Sequence, residues 1–140
     1  MSGFLIDTNV ISELVKPKPH PHVVRWMNDV DEDTLFLSVL TLGEIRKGIA
    51  LLPQSHRKSH LGTWLEKDLP ERFLGRVLPL TDRIADRWGL IAARTQSLKK
   101  PVHVIDSLMA ATALDHNLIF VTRNTRDLEP TGVPLQNPWE

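Results

Sequence analysis

The sequence predicts an α/β fold in which a mostly parallel sheet of four or five strands lies between two layers of helices. Short apolar runs that indicate strands alternate with longer segments in which apolar residues recur every three or four positions. The connections between the apolar runs are long enough to contain a helix, as parallel pairing requires. This alternation is typical of a three-layer α/β/α architecture.

The first 40 residues predict two strands and two helices. An apolar run at Phe4–Ile6 indicates a strand, the polar residues Asp7–Asn9 indicate a tight turn, and helical spacing resumes over 10–15. Three prolines then interrupt the chain before a second helix, expected over 23–30. The next strand is expected over 35–39. The order strand, turn, helix therefore begins close to the start of the chain.

The remaining elements follow the same alternation. Thr41 is expected to cap a helix over 42–52, and a longer amphipathic helix is expected from Ser55 to about Leu69. The run at 118–122 is apolar almost throughout, which indicates a central parallel strand. The other expected elements are a strand at 77–78, helices at 81–98 and 105–116, and an edge strand at 133–135.

Composition narrows the class of protein. A chain of 140 residues with 41% hydrophobic content is expected to form one domain, over 1–140. It has no cysteine, no leader-like pattern at Met1–Phe4 and no apolar run near the ~20 residues of a membrane span, so we expect a cytoplasmic protein. Seventeen basic residues balance seventeen acidic ones. Because the net charge is zero, any surface that binds nucleic acid must be a local cluster of basic residues.

Acidic residues occur where an open parallel sheet places its functional residues, beyond the carboxyl ends of the strands. Asp7 ends the first strand, Glu44 lies one turn into the helix after the second, and Asp106 begins the helix before the strand at 118–122. Converging carboxylates repel one another unless a cation supplies positive charge. Mg²⁺ and Mn²⁺ prefer oxygen ligands and activate water for phosphodiester hydrolysis. The pattern therefore predicts a divalent metal site.

Each acid also has a purely structural interpretation. Asp7 is suited to an Asx-type turn that caps the first helix. Thr41 and Glu44 match a capping box, in which Glu44 would bond to the Thr41 amide. Asp106 is suited to the first turn of a helix, where it would complement the helix dipole. The metal interpretation depends on all three acids reaching one edge of the sheet.

Four motifs in order resemble PIN-domain ribonucleases, in particular the virulence-associated protein C and FitB-like toxins. They are FLIDTNVISEL at 4–14, TLGEIRKGI at 41–49, VIDSLMAATAL at 104–114 and IFVTRNTRDL at 119–128. The resemblance extends to Asn137–Trp139 and covers almost the whole chain. It implies a PIN-like sheet of four or five strands and a Mg²⁺- or Mn²⁺-dependent endoribonuclease that acts on RNA as the toxin of a type II toxin–antitoxin system.

The resemblance also implies roles for particular residues. Asp7, Glu44 and Asp106 match the acidic triad, in which the two aspartates hold the metal most directly and the glutamate completes the coordination, often through water. Thr8 and Thr122 match supporting hydroxyl groups beside the site.

One position differs from the fuller family pattern. Many relatives carry an acid where this chain has Asn124, so binding of a second metal is an open question. Asp127, three residues further on, is a competing source of negative charge. His20 and His22 flank a proline and suggest a transition-metal site, but two imidazoles in such a loop are more often solvated.

The resemblance further implies a homodimer and an antitoxin that inserts a segment into the acidic groove. Basic residues beside the groove would hold RNA phosphates, which makes binding sensitive to salt. The candidates for this role are Arg46, Lys47, Arg123 and Arg126.

Three rival functions fit the sequence less well. A phosphatase with Asp7 as nucleophile needs a second acid two residues on, where this chain has Asn9. A receiver-like phosphate acceptor needs a lysine after its last strand, where Arg123 and Asn124 stand. A degenerate, non-catalytic PIN domain that binds RNA or protein would gain nothing from concentrated negative charge near RNA.

Overall fold

The computed structural model describes residues 3–140, so Met1 and Ser2, the first residues of the domain expected over 1–140, lie outside it. Five parallel strands form one sheet in the order β3-β2-β1-β4-β5. The sheet prediction is therefore confirmed. The strands are β1 (Gly3–Ile6), β2 (Leu35–Ser38), β3 (Val77–Leu78), β4 (Leu118–Val121) and β5 (Leu135–Gln136).

Helices connect the strands and cover both faces of the sheet. A π-helical segment, Trp64–Asp68, joins two of them, and short 3₁₀ turns occupy Glu32–Thr34 and Glu129–Thr131. None of the helices described within 3–140 is both long and apolar enough to cross a membrane. The α-helices are α1 (Thr8–Leu14), α2 (Pro21–Asp29), α3 (Val39–Ala50), α4 (His56–Thr63), α5 (Leu69–Arg72), α6 (Asp82–Ser97), α7 (Val104–Asp115) and α8 (Thr125–Leu128).

Alternating side chains of β1 create two cores, as the pleat of a strand requires. Leu5 packs on one face with Met109 of α7, and Ile6 packs on the other with Val10 and Ile45. Helix α6 forms an outer contact with α7 rather than with the sheet. The molecule therefore has the predicted three-layer α/β/α arrangement.

Helix α3 begins earlier than the sequence suggested. Ser38 has an extended backbone, and its side chain accepts a hydrogen bond from the amide of Leu40 at 3.0 Å, so Ser38 is the N-cap. Strand β2 thus passes directly into the helix without a loop. Thr41, the expected cap, lies inside the helix and is fully buried. The capping-box interpretation of Thr41 with Glu44 is therefore wrong.

Two other boundaries differ for local reasons. Strand β5 begins at Leu135 rather than Val133, because Pro134 offers a carbonyl to Phe120 at 2.8 Å but has no amide proton to donate. The turn expected after β4 contains the single helical turn α8, whose Leu128 is completely buried. Burial of that leucine explains why the segment is ordered as a helix.

The order in which strands are added to the sheet reverses between β1 and β4, so the topological switch point lies there. From β1 the chain builds outward through β2 and β3, then returns to the other side of β1 with β4 and β5. In open parallel sheets, ligands bind beyond the carboxyl ends of the strands at this switch point. Residues that follow β1 and β4 are therefore the first to examine for chemistry.

Candidate metal centre

Asp7 occupies the end of β1 and is almost completely buried, with 4% of its surface exposed. Its backbone is extended, so it becomes the N-cap of α1, and its Oδ1 accepts a hydrogen bond from the amide of Thr8 at 2.7 Å. The capping role considered from the sequence is thus present. It uses only one of the two carboxylate oxygens.

The second oxygen of Asp7 is held by β4. Thr122, which follows β4 and is fully buried, donates from its hydroxyl to Asp7 Oδ2 at 2.7 Å. The Thr122 hydroxyl in turn accepts from Asn9 Nδ2 at 3.3 Å and from the amide of Asn124 at 3.1 Å. Both oxygens of Asp7 are therefore fixed by groups on the two central strands and the segments that follow them.

Glu44 reaches the same region from α3. The hydroxyl of Thr8, next to Asp7, donates to Glu44 Oε1 at 2.6 Å. The hydroxyls of Thr8 and Thr41 lie 3.2 Å apart, and Thr41 shares a face of α3 with Glu44 because the two residues are three apart. Glu44 thus bonds across to α1 instead of capping its own helix.

Asp106 lies in the first turn of α7 and is partly buried. Burial is the largest cause that raises its pKa, and the negative charges of Glu44 and Asp127 raise it further, whereas nearby His103 lowers it. A position in the first helical turn also complements the dipole. The charge of Asp106 nevertheless acts on other acids, so its role is not confined to its own helix.

The pKa of Asp7 shows that both burial and the neighbouring acids disfavour its charged form. Burial is the largest cause of a rise in this pKa from 3.8 to about 6, against the lowering effect of the hydrogen bonds from Thr122 and Thr8. The carboxylates of Asp106 and Glu44 contribute to the same rise. A positive ion placed among these acids would remove the repulsion.

The donor set suits a hydrated hard cation rather than a closed cage. Within residues 3–140, no group of three or more His, Cys, Asp or Glu side chains is placed to hold a metal ion by itself. Mg²⁺ keeps several waters and is usually bound through one or two carboxylates. The buried carboxylate of Asp7 and the partly buried carboxylates of Glu44 and Asp106 repel one another and fit such an ion, and water can complete its coordination.

Asn124 and Asp127, the two residues considered as a fourth ligand or charge at the site, differ in their contacts. Asn124 is exposed and contributes its backbone amide to Thr122. Asp127, in α8, is the residue whose charge reaches Asp106. The structure thus associates Asp127, rather than Asn124, with the electrostatics of the acidic group.

The four basic residues expected to flank the site have different surroundings. Arg46 pairs with Glu66 at 2.8 Å, and Arg123 stacks on the ring of Trp139 at 5.2 Å. Lys47 is exposed on α3. Arg126 lines a cleft of about 670 Å³ that also contains Asp106. Of the four, only Arg126 lines this cleft.

The histidine pair has a structural role. His20 is the N-cap of α2, and its Nδ1 accepts from the amide of His22 at 3.1 Å. The Nδ1 of His22 lies 2.8 Å from the carbonyl oxygen of Trp139. His20 therefore caps α2 and His22 attaches the carboxyl-terminal segment to this helix, and these contacts account for the positions of the two rings.

Three residues near the site were not singled out by sequence reasoning. Thr41 was assigned to a cap and Asn9 to a turn, and His103 was given no role. The spacing of Thr41 and Glu44 was an available signal, since it places both on one helical face. The contact of Asn9 with Thr122 had no sequence signal, because it depends on β1 and β4 being neighbours.

Comparison with known proteins identifies the family of this chain. The PIN domain family matches residues 4–131. Toxin FitB of Neisseria gonorrhoeae is 36% identical over 96% of this chain and 97% of that protein, and VapC ribonuclease Y4jK of Sinorhizobium fredii is 35% identical over 97% of each. The solved structure of FitAB bound to an IR36 DNA fragment superposes with a TM-score of 0.93 at 34% identity, covering 98% of this chain and 96% of that one. This chain belongs to the PIN-domain family.

Proposed function

We propose that this chain is a Mg²⁺- or Mn²⁺-dependent endoribonuclease and the toxin of a type II toxin–antitoxin pair. The supporting observation is the placement of Asp7, buried at the β1–β4 switch point and within electrostatic reach of Glu44 and Asp106. Relatives that match nearly the whole chain are named a toxin and a ribonuclease. Phosphodiester hydrolysis of RNA is the reaction that joins these observations.

The residues that would hold the ion are Asp7 and Asp106, with Glu44 completing the coordination through water. A bound Mg²⁺ or Mn²⁺ would polarise the phosphodiester and lower the pKa of a water molecule. Thr122 and the Thr8 amide fix the two oxygens of Asp7, which keeps the carboxylate in one orientation.

The same residues explain why the site depends on a cation. Three carboxylates without a counter-charge repel a phosphate, so the apo site opposes RNA binding. The Thr8 hydroxyl holds Glu44 toward the other acids despite their repulsion. Arg126 lines the same cleft as Asp106, so it is placed to attract the phosphate of a neighbouring nucleotide.

We further propose a homodimer and a cognate antitoxin as partners. The relatives named above include a toxin, and an enzyme that cleaves RNA would damage its own cell unless a partner inhibited it. Light scattering of the purified chain tests the dimer. The antitoxin is tested by whether a small reading frame adjoins this gene and whether its product binds the purified chain.

The direct test is cleavage of single-stranded RNA by purified protein with Mg²⁺ or Mn²⁺ and with EDTA. We expect metal-dependent cleavage that Asp7→Asn and Asp106→Asn each abolish, because each change removes an anionic metal ligand while keeping the size of the side chain. Asp86→Asn is the matched control, since Asp86 is exposed on α6. Full cleavage by either site variant would remove that residue from the proposed centre.

A further inference from the structure

Asn9 contacts the centre through Thr122 and is given no role by the proposed mechanism. We propose that Asn9 is a positioning residue, whose side-chain amide directs the single proton of the Thr122 hydroxyl onto Asp7. The inference rests on the proposed function, since it names a further residue of the same site. The evidence for it is the set of hydrogen bonds made by the buried hydroxyl group of Thr122.

A threonine hydroxyl offers one donor proton and two acceptor lone pairs. At Thr122 both acceptor positions are used, by Asn9 Nδ2 at 3.3 Å and by the amide of Asn124 at 3.1 Å. Only one direction is then left for the hydroxyl proton, toward Asp7 Oδ2 at 2.7 Å. Because Thr122 is fully buried, no solvent competes for these positions.

The orientation of the Asn9 amide matters for this arrangement. If the amide were reversed, its oxygen would face Thr122 and would compete with Asp7 for the same hydroxyl proton. The observed orientation places the NH₂ group on Thr122 and so leaves that proton for Asp7. Asn9 therefore acts through Thr122 and does not itself contact Asp7.

In this orientation, the carbonyl oxygen of the Asn9 side chain lowers the stability of the fold. Asn9 Oδ1 is buried and has no hydrogen-bond partner among the described residues. A buried acceptor without a donor loses its hydration and destabilises the folded chain. An apolar side chain of similar size would avoid that loss. The presence of asparagine at this position is explained if its NH₂ group serves the site.

The first experiment compares Asn9→Leu with Asn28→Leu, a matched control on the exposed surface of α2. For Asn9→Leu we expect kcat for RNA cleavage to fall about 10- to 100-fold, the usual effect of losing a group that orients a metal ligand, with KM for RNA within about twofold. Mn²⁺ affinity, measured by electron paramagnetic resonance without RNA, should fall over the same range. The control should match the wild type in all three.

Melting temperature separates positioning from a packing role. Asn9→Leu removes the unpaired carbonyl oxygen and introduces a better helix former in α1, so the metal-free protein should melt at the same or a higher temperature. A residue needed only for packing or capping would give a lower melting temperature. Unchanged kcat and Mn²⁺ affinity in Asn9→Leu would overturn the inference.

A double-mutant cycle tests the route through Thr122. In a Thr122→Val background the hydroxyl is absent, so adding Asn9→Leu should cause no further loss of Mn²⁺ affinity. In a Thr122→Ser background the hydroxyl remains, and Asn9→Leu should still weaken Mn²⁺ binding about 10- to 100-fold. If Asn9→Leu lowers Mn²⁺ affinity by the same factor in the Thr122→Val background as in the wild type, Asn9 acts independently of Thr122. The inference would then fail.

Nuclear magnetic resonance provides a readout that needs neither activity nor metal. A buried hydroxyl proton held by a carboxylate exchanges slowly, so the Thr122 hydroxyl should give a resolved resonance in the wild type and in Asn28→Leu. Asn9→Leu should lose it. If the resonance persists in Asn9→Leu, the positioning role of Asn9 is overturned. If the wild type shows the resonance but cleaves no RNA, only the proposed function is overturned.

Discussion

Asp7 combines interactions that act in opposite directions on one carboxyl group. Hydrogen bonds from Thr122 and Thr8 favour its charged form, whereas burial and the neighbouring acids favour its neutral form, and burial prevails in raising its pKa to about 6. A carboxylate arranged in this way is held in position but lacks a counter-charge. Helix capping alone does not account for this arrangement, which is the one expected of a residue that takes part in the proposed cation site.

Glu44→Gln separates positioning from charge at the second acid. The glutamine oxygen can still accept from the Thr8 hydroxyl, and Ser38 still caps α3, so the melting temperature should stay near the wild-type value. Loss of the negative charge should reduce Mn²⁺-dependent cleavage at least about tenfold. Cleavage assays and thermal melts measure the two effects.

Glu71→Gln, an exposed change of the same kind on α5, is the control for that experiment and should leave both quantities unchanged. If Glu44→Gln cleaves RNA as fast as the wild type, the role of Glu44 is confined to the bond with Thr8.

At the scale of elements, the sequence predicted those strands and helices whose position depends on local patterns of apolar and polar residues. The β1 run, its acid at Asp7 and the apolar β4 run were each visible along the chain. The start of α3 was placed three residues late, because Ser38 and Thr41 are both good caps and only the end of β2 selects between them. The bond between Thr122 and Asp7 could not be predicted, since it joins residues 115 apart through the sheet order.

Helix α8 offers a test of how the turn after β4 contributes charge. Asp127 raises the pKa of Asp106, whereas Asn124 supplies a backbone amide that does not depend on its side chain. We therefore expect Asp127→Asn to weaken Mn²⁺ binding and Asn124→Asp to change it less. Mn²⁺ titrations of both variants measure this difference. If neither variant alters the metal dependence, the turn does not belong to the metal site.

At the scale of the whole molecule, the centre joins parts of the chain that pack in different cores. Asp7 follows β1, Glu44 lies on α3 against the core of Ile6 and Ile45, and Asp106 lies on α7 against the core of Leu5 and Met109. The acids come together only when both layers are formed on the sheet. Their mutual repulsion therefore opposes folding of the entire chain, and an ion that binds them stabilises the entire chain.

The stability of the metal-free protein should consequently fall as pH rises from about 4 to about 6. The pKa of Asp7 is raised from 3.8 to about 6 in the folded state, so between these values the folded chain binds more protons than the unfolded chain. Stability contributed by the protonated form is fully present below pH 3.8 and is lost as pH rises through 6, on the order of 3 kcal/mol.

Urea unfolding in EDTA at pH values between 4 and 7 measures this loss as a difference between wild type and Asp7→Asn. The difference is needed because Glu13 and Glu32, whose pKa values are lowered by hydrogen bonds from Lys16 and Arg72, act in the opposite direction in both proteins. Asp7→Asn should reduce the loss, and Asp86→Asn should retain it. Saturating Mn²⁺ should reverse the trend in the wild type, because the ion binds the ionised acids. Equal pH dependence in wild type and Asp7→Asn would show that Asp7 does not oppose folding at neutral pH, and the electrostatic argument for a bound cation would lose its main support.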